Sequence, residues 1–233
     1  MAALNFGAFD VLSFDCYGTL IDWETGIASS LRPILAGGGA QPTDDELLEA
    51  YGRAEAEAER GAYRRYREVL ATSARAVGRA FGVEVSEEDA AAFGDSVGDW
   101  PTFSDSPEAM ARLKRRFRLA VITNCDDDLF ARSNARLGVD FDWVVTAQQV
   151  GSYKPSHRNF EVAFERIGPP RDRILHVAQS LFHDHVPAKE LGLSTVWVNR
   201  RQGKAGSGAT PPAAATPDLT VPDMATLADV ALA

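Results

Sequence analysis

From Pro107 onward the chain alternates short apolar runs with amphipathic segments, and this alternation limits its possible folds more than any other feature. Residues 119–124, 143–146, 174–178 and 195–198 are near-continuous apolar runs of strand length, separated by helical patterns at 129–137, 157–167 and 187–191. Strands that are apolar on both faces belong in a parallel sheet covered by helices on each side. Strand–helix alternation therefore predicts an α/β fold with a doubly wound, Rossmann-like parallel sheet. An earlier run, 9–15, reads as the first strand, and 219–221 as a short last strand followed by a helix from Pro222.

Between the first and second strands the pattern is helical only. Residues 26–35 form a first amphipathic stretch ended by Gly37-Gly38-Gly39, and Thr43 with Glu46 makes a capping box for a helix running through Glu59. Further helices are expected over 63–81 and from Ser86. The division predicted is a core of 1–22 and 101–233 and an inserted all-helical cap of 23–100. Ser106-Pro107 suits a helix start on the return, with proline at the first helical position.

A net charge of −9 without a Lys/Arg tract argues against nucleic acid as a partner. The bulk field also repels anions, so an anionic ligand needs local cations. Two cysteines, Cys16 and Cys125, make no disulfide framework and suit a reduced, cytoplasmic protein. No signal peptide or membrane-length apolar run is visible.

Ligands of doubly wound sheets bind beyond the carboxyl ends of the strands. Asp15, Thr123-Asn124, Lys154 and Asp184 each follow a strand run and so share one edge. Individually each has an ordinary explanation: Asp15 as a turn residue, Lys154 as a surface lysine, and Thr123-Asn124 and Asp184 as helix caps. Gathered on one edge, they supply two carboxylates, an ammonium and a hydroxyl/amide pair to a single crevice.

Four segments, Phe14-Asp15-Cys16-Tyr17-Gly18-Thr19-Leu20, Val121-Ile122-Thr123-Asn124, Tyr153-Lys154-Pro155 and Val177-Ala178-Gln179-Ser180-Leu181-Phe182-His183-Asp184, resemble the ordered motifs of the haloacid dehalogenase superfamily. Most members of that superfamily are Mg²⁺-dependent phosphatases. Their pattern has a second aspartate two residues after the nucleophile, where this chain has Tyr17, and an acid in the fourth motif where it has Gln179. Mg²⁺ favours carboxylate and water ligands, so losing an acid weakens such a site. Halide leaves as a stable anion and needs no proton.

Tyr17 followed by Gly-Thr-Leu resembles the metal-free (S)-2-haloacid dehalogenase branch. That resemblance implies hydrolysis of small, anionic 2-haloalkanoic acids through an aspartyl ester, with no cofactor. It implies Asp15 as nucleophile, Lys154 keeping it ionised, Thr19 hydrogen-bonding it, and Asp184 activating water. The Cys16-Tyr17 backbone with Thr123-Asn124 would hold the substrate carboxylate, and a cap arginine, Arg53, would assist the halide. Arg60, Arg64, Arg65 and Arg67 stand nearby. A homodimer is also what the resemblance suggests. Phe160 replaces the family's tyrosine, Ala178 and Ser180 replace its serine and asparagine, and the spacing to Asp184 is one residue longer, as in the phosphatases. A phosphatase with a depleted metal site and a binding protein that kept the fold are the alternatives.

Overall fold

The computed structural model describes residues 4–204 and 206–233. Six strands, β1 (Val11–Phe14), β2 (Arg118–Thr123), β3 (Trp143–Thr146), β4 (Ile174–Ala178), β5 (Ser194–Val198) and β6 (Leu219–Val221), form one sheet. Their order is β3-β2-β1-β4-β5-β6, and every pair is parallel. Winding reverses between β1 and β4, and that switch point is where such sheets bind ligands. The expected fold class is the observed one.

Side chains alternate across the sheet, as the two-residue strand period requires. Val11, Ala120, Ile122 and Ile174 pack on one face with Phe160 and Ile167 of α8 (His157–Ile167). Leu12, Phe14, Leu119, Val121, Leu175 and Val177 pack on the other, in an apolar cluster with Met110 of α5 (Ser106–Lys114) and Leu227 of α10 (Met224–Leu232). Ser13 and His176 break the apolar run, and they sit opposite each other in the β1–β4 register.

Five α-helices lie between β1 and β2; the four that precede α5 are α1 (Trp23–Gly37), α2 (Asp44–Ala58), α3 (Tyr66–Ala80) and α4 (Glu87–Asp95). The capping box at Thr43 and Glu46 forms as the sequence predicts. The chain leaves and re-enters the sheet layer side by side, with Ile21 paired antiparallel to Thr102 and the Asp22 N–H donating to Pro101 O at 2.8 Å. The third helix begins at Tyr66 rather than 63 for a tertiary reason. Asp126, just before α6 (Asp127–Leu137), accepts from the N–H groups of Tyr66 and Arg67 at 3.0 and 3.3 Å. The first-turn donors of α3 are thus satisfied from another part of the chain.

Two local features were outside the sequence expectations. A single turn, α7 (Ala147–Val150), follows β3. A π-turn spans Leu181–His185 before α9 (Val186–Glu190). The π-turn takes up the extra residue in the fourth motif, and such turns concentrate at functional sites.

Gly18 has φ +90°, and a Cβ there would lie 2.8 Å from Trp23 Nε1. Gly18→Ala is expected to destabilise the protein by about 1–2 kcal/mol from the backbone conformation alone, more if Trp23 cannot shift. Urea unfolding of the two proteins side by side measures this.

Candidate active site

Asp15 stands one residue beyond β1, at the switch point. Lys154 Nζ donates to Asp15 Oδ1 at 2.8 Å, to Asp184 Oδ1 at 2.7 Å and to the Ile122 carbonyl at 2.8 Å. All three ammonium protons therefore have acceptors. Thr19 Oγ1 donates to Asp15 Oδ2 at 2.8 Å and accepts from the Gln179 N–H at 2.9 Å, so the direction of that hydroxyl is settled. Asn124 grips the Lys154 backbone from both sides, accepting from its N–H at 2.7 Å and donating to its carbonyl at 3.0 Å.

A second line of contacts supports Asp184 from beneath. His176 Nε2 lies 3.1 Å from Asp184 Oδ1, and Ser13 Oγ lies 3.0 Å from His176 Nδ1. Ionised Asp184 can only accept, so Nε2 carries the proton in this pair. Asp184 Oδ2 is buried without a hydrogen-bond partner.

The electrostatics follow from this sharing. Burial disfavours the charged form of Asp184, but the Lys154 ammonium and the His176 contact outweigh it and hold the carboxyl well below the ordinary range. Burial, together with the Asp184 charge, pushes Asp15 upward against the pull of Lys154 and Thr19. Burial opposes the charge on Lys154 too, yet the two carboxylates hold it above an ordinary lysine. Burial pushes His183 down to about 4, so its ring is neutral at pH 7.

Asp15, Asn124, Lys154, Ser180, His183 and Asp184 line one cavity, closed over by Trp23, Glu55, Glu59 and Tyr66 from the inserted segment. The cavity holds about 20 Å³, room for roughly one water. A larger ligand enters only when the helical wall and the strand ends separate. At the strand ends, Tyr17 and Asn124 line the cavity and Cys16 lies between Asp15 and Tyr17; the backbone N–H groups of all three have no backbone acceptor among the described residues. Unpaired N–H groups at such a turn suit an anion.

The acidic and histidine side chains of the cavity do not converge on one point. Among the described residues no three His, Cys, Asp or Glu side chains converge to hold an ion. Gln179 lies outside the cavity wall, and Lys154 already sits between the two strand-end carboxylates. This donor set does not fit Mg²⁺, which is bound through carboxylates and water.

A family model described as haloacid dehalogenase-like hydrolase matches residues 9–181, well over half of the chain. The chain belongs to this hydrolase family. It is 25% identical over 192 residues to the (S)-2-haloacid dehalogenase of Pseudomonas sp. strain YL, covering 81% of this chain and 82% of that one. It is 34% identical over 100 residues to the glyceraldehyde 3-phosphate phosphatase of Methanothermobacter thermautotrophicus, covering 42% and 44% of the two chains. Its fold matches the L-2-haloacid dehalogenase from Xanthobacter autotrophicus with a TM-score of 0.79 at 19% identity, over 95% of this chain and 98% of that one.

In this member of the haloacid dehalogenase-like hydrolases, the structure brings Asp15, Thr19, Asn124, Lys154 and Asp184 together, with Tyr17 on the cavity wall. The Tyr17 hydroxyl points away from Asp15, lying 2.9 Å from Ser133 Oγ and accepting from the Cys125 thiol at 3.3 Å. The Cys16 side chain is fully buried and does not line the cavity. Thr123 Oγ1 is buried and unpartnered, and its side chain does not line the cavity.

Arg53 does not join this group. Its side chain is 73% exposed, 3.9 Å from Glu49, and lines a different groove. The neighbouring arginines are committed elsewhere. Arg65 and Arg67 pair with Asp126 and Asp128, holding α3 against α6, and Arg60 pairs with Glu57 at the surface. What the sequence reading missed is Glu55, Glu59, Tyr66, Ser13 and His176. The last two carried a signal, as polar residues inside apolar strands.

Removing Lys154 leaves two buried carboxylates facing each other. Lys154→Ala is expected to lower stability by about 3–5 kcal/mol near neutral pH. The deficit narrows as pH falls and the carboxylates protonate. In the wild type the sign is set by Asp184, whose depressed value stabilises the fold above the ordinary carboxylate range and is lost as pH falls through it. Urea unfolding of both proteins at pH 7 and pH 5 checks the first statement, and continuing the wild-type series down to about pH 3, below the ordinary carboxylate range, checks the second.

Proposed function

We propose that the protein hydrolyses a carbon–halogen bond of a small 2-haloalkanoic acid through an ester on Asp15, with residues 23–100 acting as a cap. The observation that carries this reading is the shared ammonium. Lys154 holds both Asp15 and Asp184, while no proton donor stands two residues after the nucleophile, because the Tyr17 hydroxyl is tied to Ser133 and Cys125. Burial also holds the Tyr17 proton well above the ordinary tyrosine range. In the first displacement a leaving alkoxide would lack the acid at that position, whereas a leaving halide needs none.

In this reading the substrate carboxylate rests on the N–H groups of Cys16, Tyr17 and Asn124. An oxygen of Asp15 attacks the carbon bearing halogen from the side opposite the leaving group. The C–O bond forms, the C–X bond breaks, and halide departs with the electron pair, inverting the carbon. Raising the basicity of Asp15 by burial strengthens it as a nucleophile, and Lys154 keeps it ionised. Water then attacks the Asp15 ester carbonyl and gives its proton to Asp184, whose Oδ2 has no other partner. The acyl C–O bond of the ester breaks, the departing 2-hydroxy oxygen takes the proton held by Asp184, and the new Asp15 carboxyl gives its remaining proton to solvent, which restores the carboxylate. With Arg53 outside, the cavity donors for the departing halide are Asn124 Nδ2 and the unpartnered His183 Nε2.

The alternative, Mg²⁺-dependent phosphate release, is favoured by the longer motif spacing and by the partial relative that is a phosphatase. Halide release from (S)-2-chloropropanoate in EDTA, beside phosphate release from a phosphomonoester with Mg²⁺, separates the two. The expected result is halide without metal, abolished in Asp15→Asn; phosphate release that requires Mg²⁺, with no halide, overturns the reading. Asp15 must be ionised to attack, and its value lies above an ordinary carboxylate. The acid limb of kcat/KM is therefore expected at higher pH than a solvated aspartate would give, as a pH–rate profile shows.

A further inference from the structure

The wall that the inserted helices contribute to the cavity is acidic. Glu55 and Glu59 stand four residues apart at the end of α2, on one helical face, and both line the cavity. Arg53, two residues before Glu55, is turned away by about 200° of helix. Lys154 is the one Lys or Arg side chain on the cavity wall among the described residues, and its protons are already shared by Asp15, Asp184 and Ile122. Four carboxylates thus share one cavity with a single committed ammonium.

Glu55 is held rigidly. Tyr51 and Tyr66 both donate to its Oε1, at 2.7 and 2.6 Å, although the residue is only 3% exposed. Two phenols converging on one oxygen orient the carboxyl and leave Oε2 without a protein partner among the described residues. Glu59 is held loosely, its Oε1 3.5 Å from Asn124 Nδ2 and its Oε2 4.0 Å from His183 Nε2. His183 is itself buried and its Nε2 has no hydrogen-bond partner, as is true of Asp184 Oδ2 on the same wall. These buried polar atoms lack ligands that the protein does not supply. Burial raises both Glu55 and Glu59 above the ordinary range, so leaving them without a counter-charge is unfavourable.

The geometry points to a substrate whose end remote from the reacting carbon carries an ammonium group, received by Glu55 and Glu59 on the wall that Tyr66 and Trp23 also line. Carboxylates fix the cation by charge-assisted hydrogen bonds. The cavity is then complementary end to end, with N–H groups of Cys16, Tyr17 and Asn124 facing the anionic end and carboxylates facing the cationic one. A plain alkyl chain leaves the two glutamates uncompensated, and a second carboxylate is repelled. This inference rests on the reading of the cavity as the active site and narrows its substrate class to short acids bearing an amine.

The test uses the full-length protein and two ligands of equal length, 4-aminobutanoate and pentanoate, which differ by an ammonium against a methyl group. Calorimetric titration at pH 7 is expected to show 4-aminobutanoate bound about tenfold or more tightly than pentanoate. The preference should disappear in a Glu55→Gln, Glu59→Gln double variant, which keeps side-chain volume. Equal or tighter binding of pentanoate to the wild type, absence of 4-aminobutanoate binding, or a preference that survives the double variant overturns the proposal. Halide release from (S)-2-chloropropanoate is scored separately. Halide without ammonium preference leaves the Asp15 chemistry standing and removes the cation subsite; ammonium preference without halide does the reverse.

Discussion

The site depends on one buried ammonium. Lys154 is 1% exposed and lies between two carboxylates that could not both remain charged without it. Two charges of one sign and one of the other, taken out of water, hold together only with close geometry and with the remaining lone pairs satisfied. Thr19, His176 and Ile122 provide further contacts, and Asp184 Oδ2 alone among the carboxylate oxygens of the pair is left without a partner. The result is asymmetric. Asp184, with Lys154 and His176 on one oxygen, is kept acidic, while Asp15 carries the cost of the second negative charge and becomes more basic. In the proposed reaction this asymmetry would let one residue attack and the other accept a proton, from two identical side chains in different surroundings.

The strand ends form half of the cavity, and the inserted helices close it. Their seat is electrostatic as well as apolar. Asp126 is fully buried and satisfies the start of α3, while Arg65 and Arg67 reach across to Asp126 and Asp128. Tyr153, next to Lys154, donates to the Arg64 carbonyl at 2.7 Å. These contacts place Tyr66 and, through it, Glu55 over Asp15. They also commit the charge of Arg65 and Arg67 to Asp126 and Asp128, which do not line the cavity, while Arg60 pairs with Glu57 at the surface.

Much of the core was legible because each element has a local cause. Apolar runs bounded by turn residues became strands, and Thr43 with Glu46 started a helix as a capping box does. The residues gathered at the switch point were found by position, each following a strand run. The π-turn at Leu181–His185 left only a trace, one extra residue in a motif. Ser13 and His176 were visible as interruptions of apolar strands, but their meaning needed the register that sets them side by side.

The order of layers and the placement of Asp15, Lys154 and Asp184 were determined by the sequence itself, since strand periodicity and the edge rule of parallel sheets act locally; Thr19 was reached only through the motif resemblance. The character of the opposite wall was decided only by tertiary structure. In the run Ala54-Glu55-Ala56-Glu57-Ala58-Glu59 the three glutamates are alike in sequence, and any of them would pass for a solvated face. Docking of α2 buries Glu55 and Glu59 and leaves Glu57 exposed, paired with Arg60. Which carboxylates meet a ligand depends on the rotation of one helix against strands far away in the chain, and no local pattern encodes that angle.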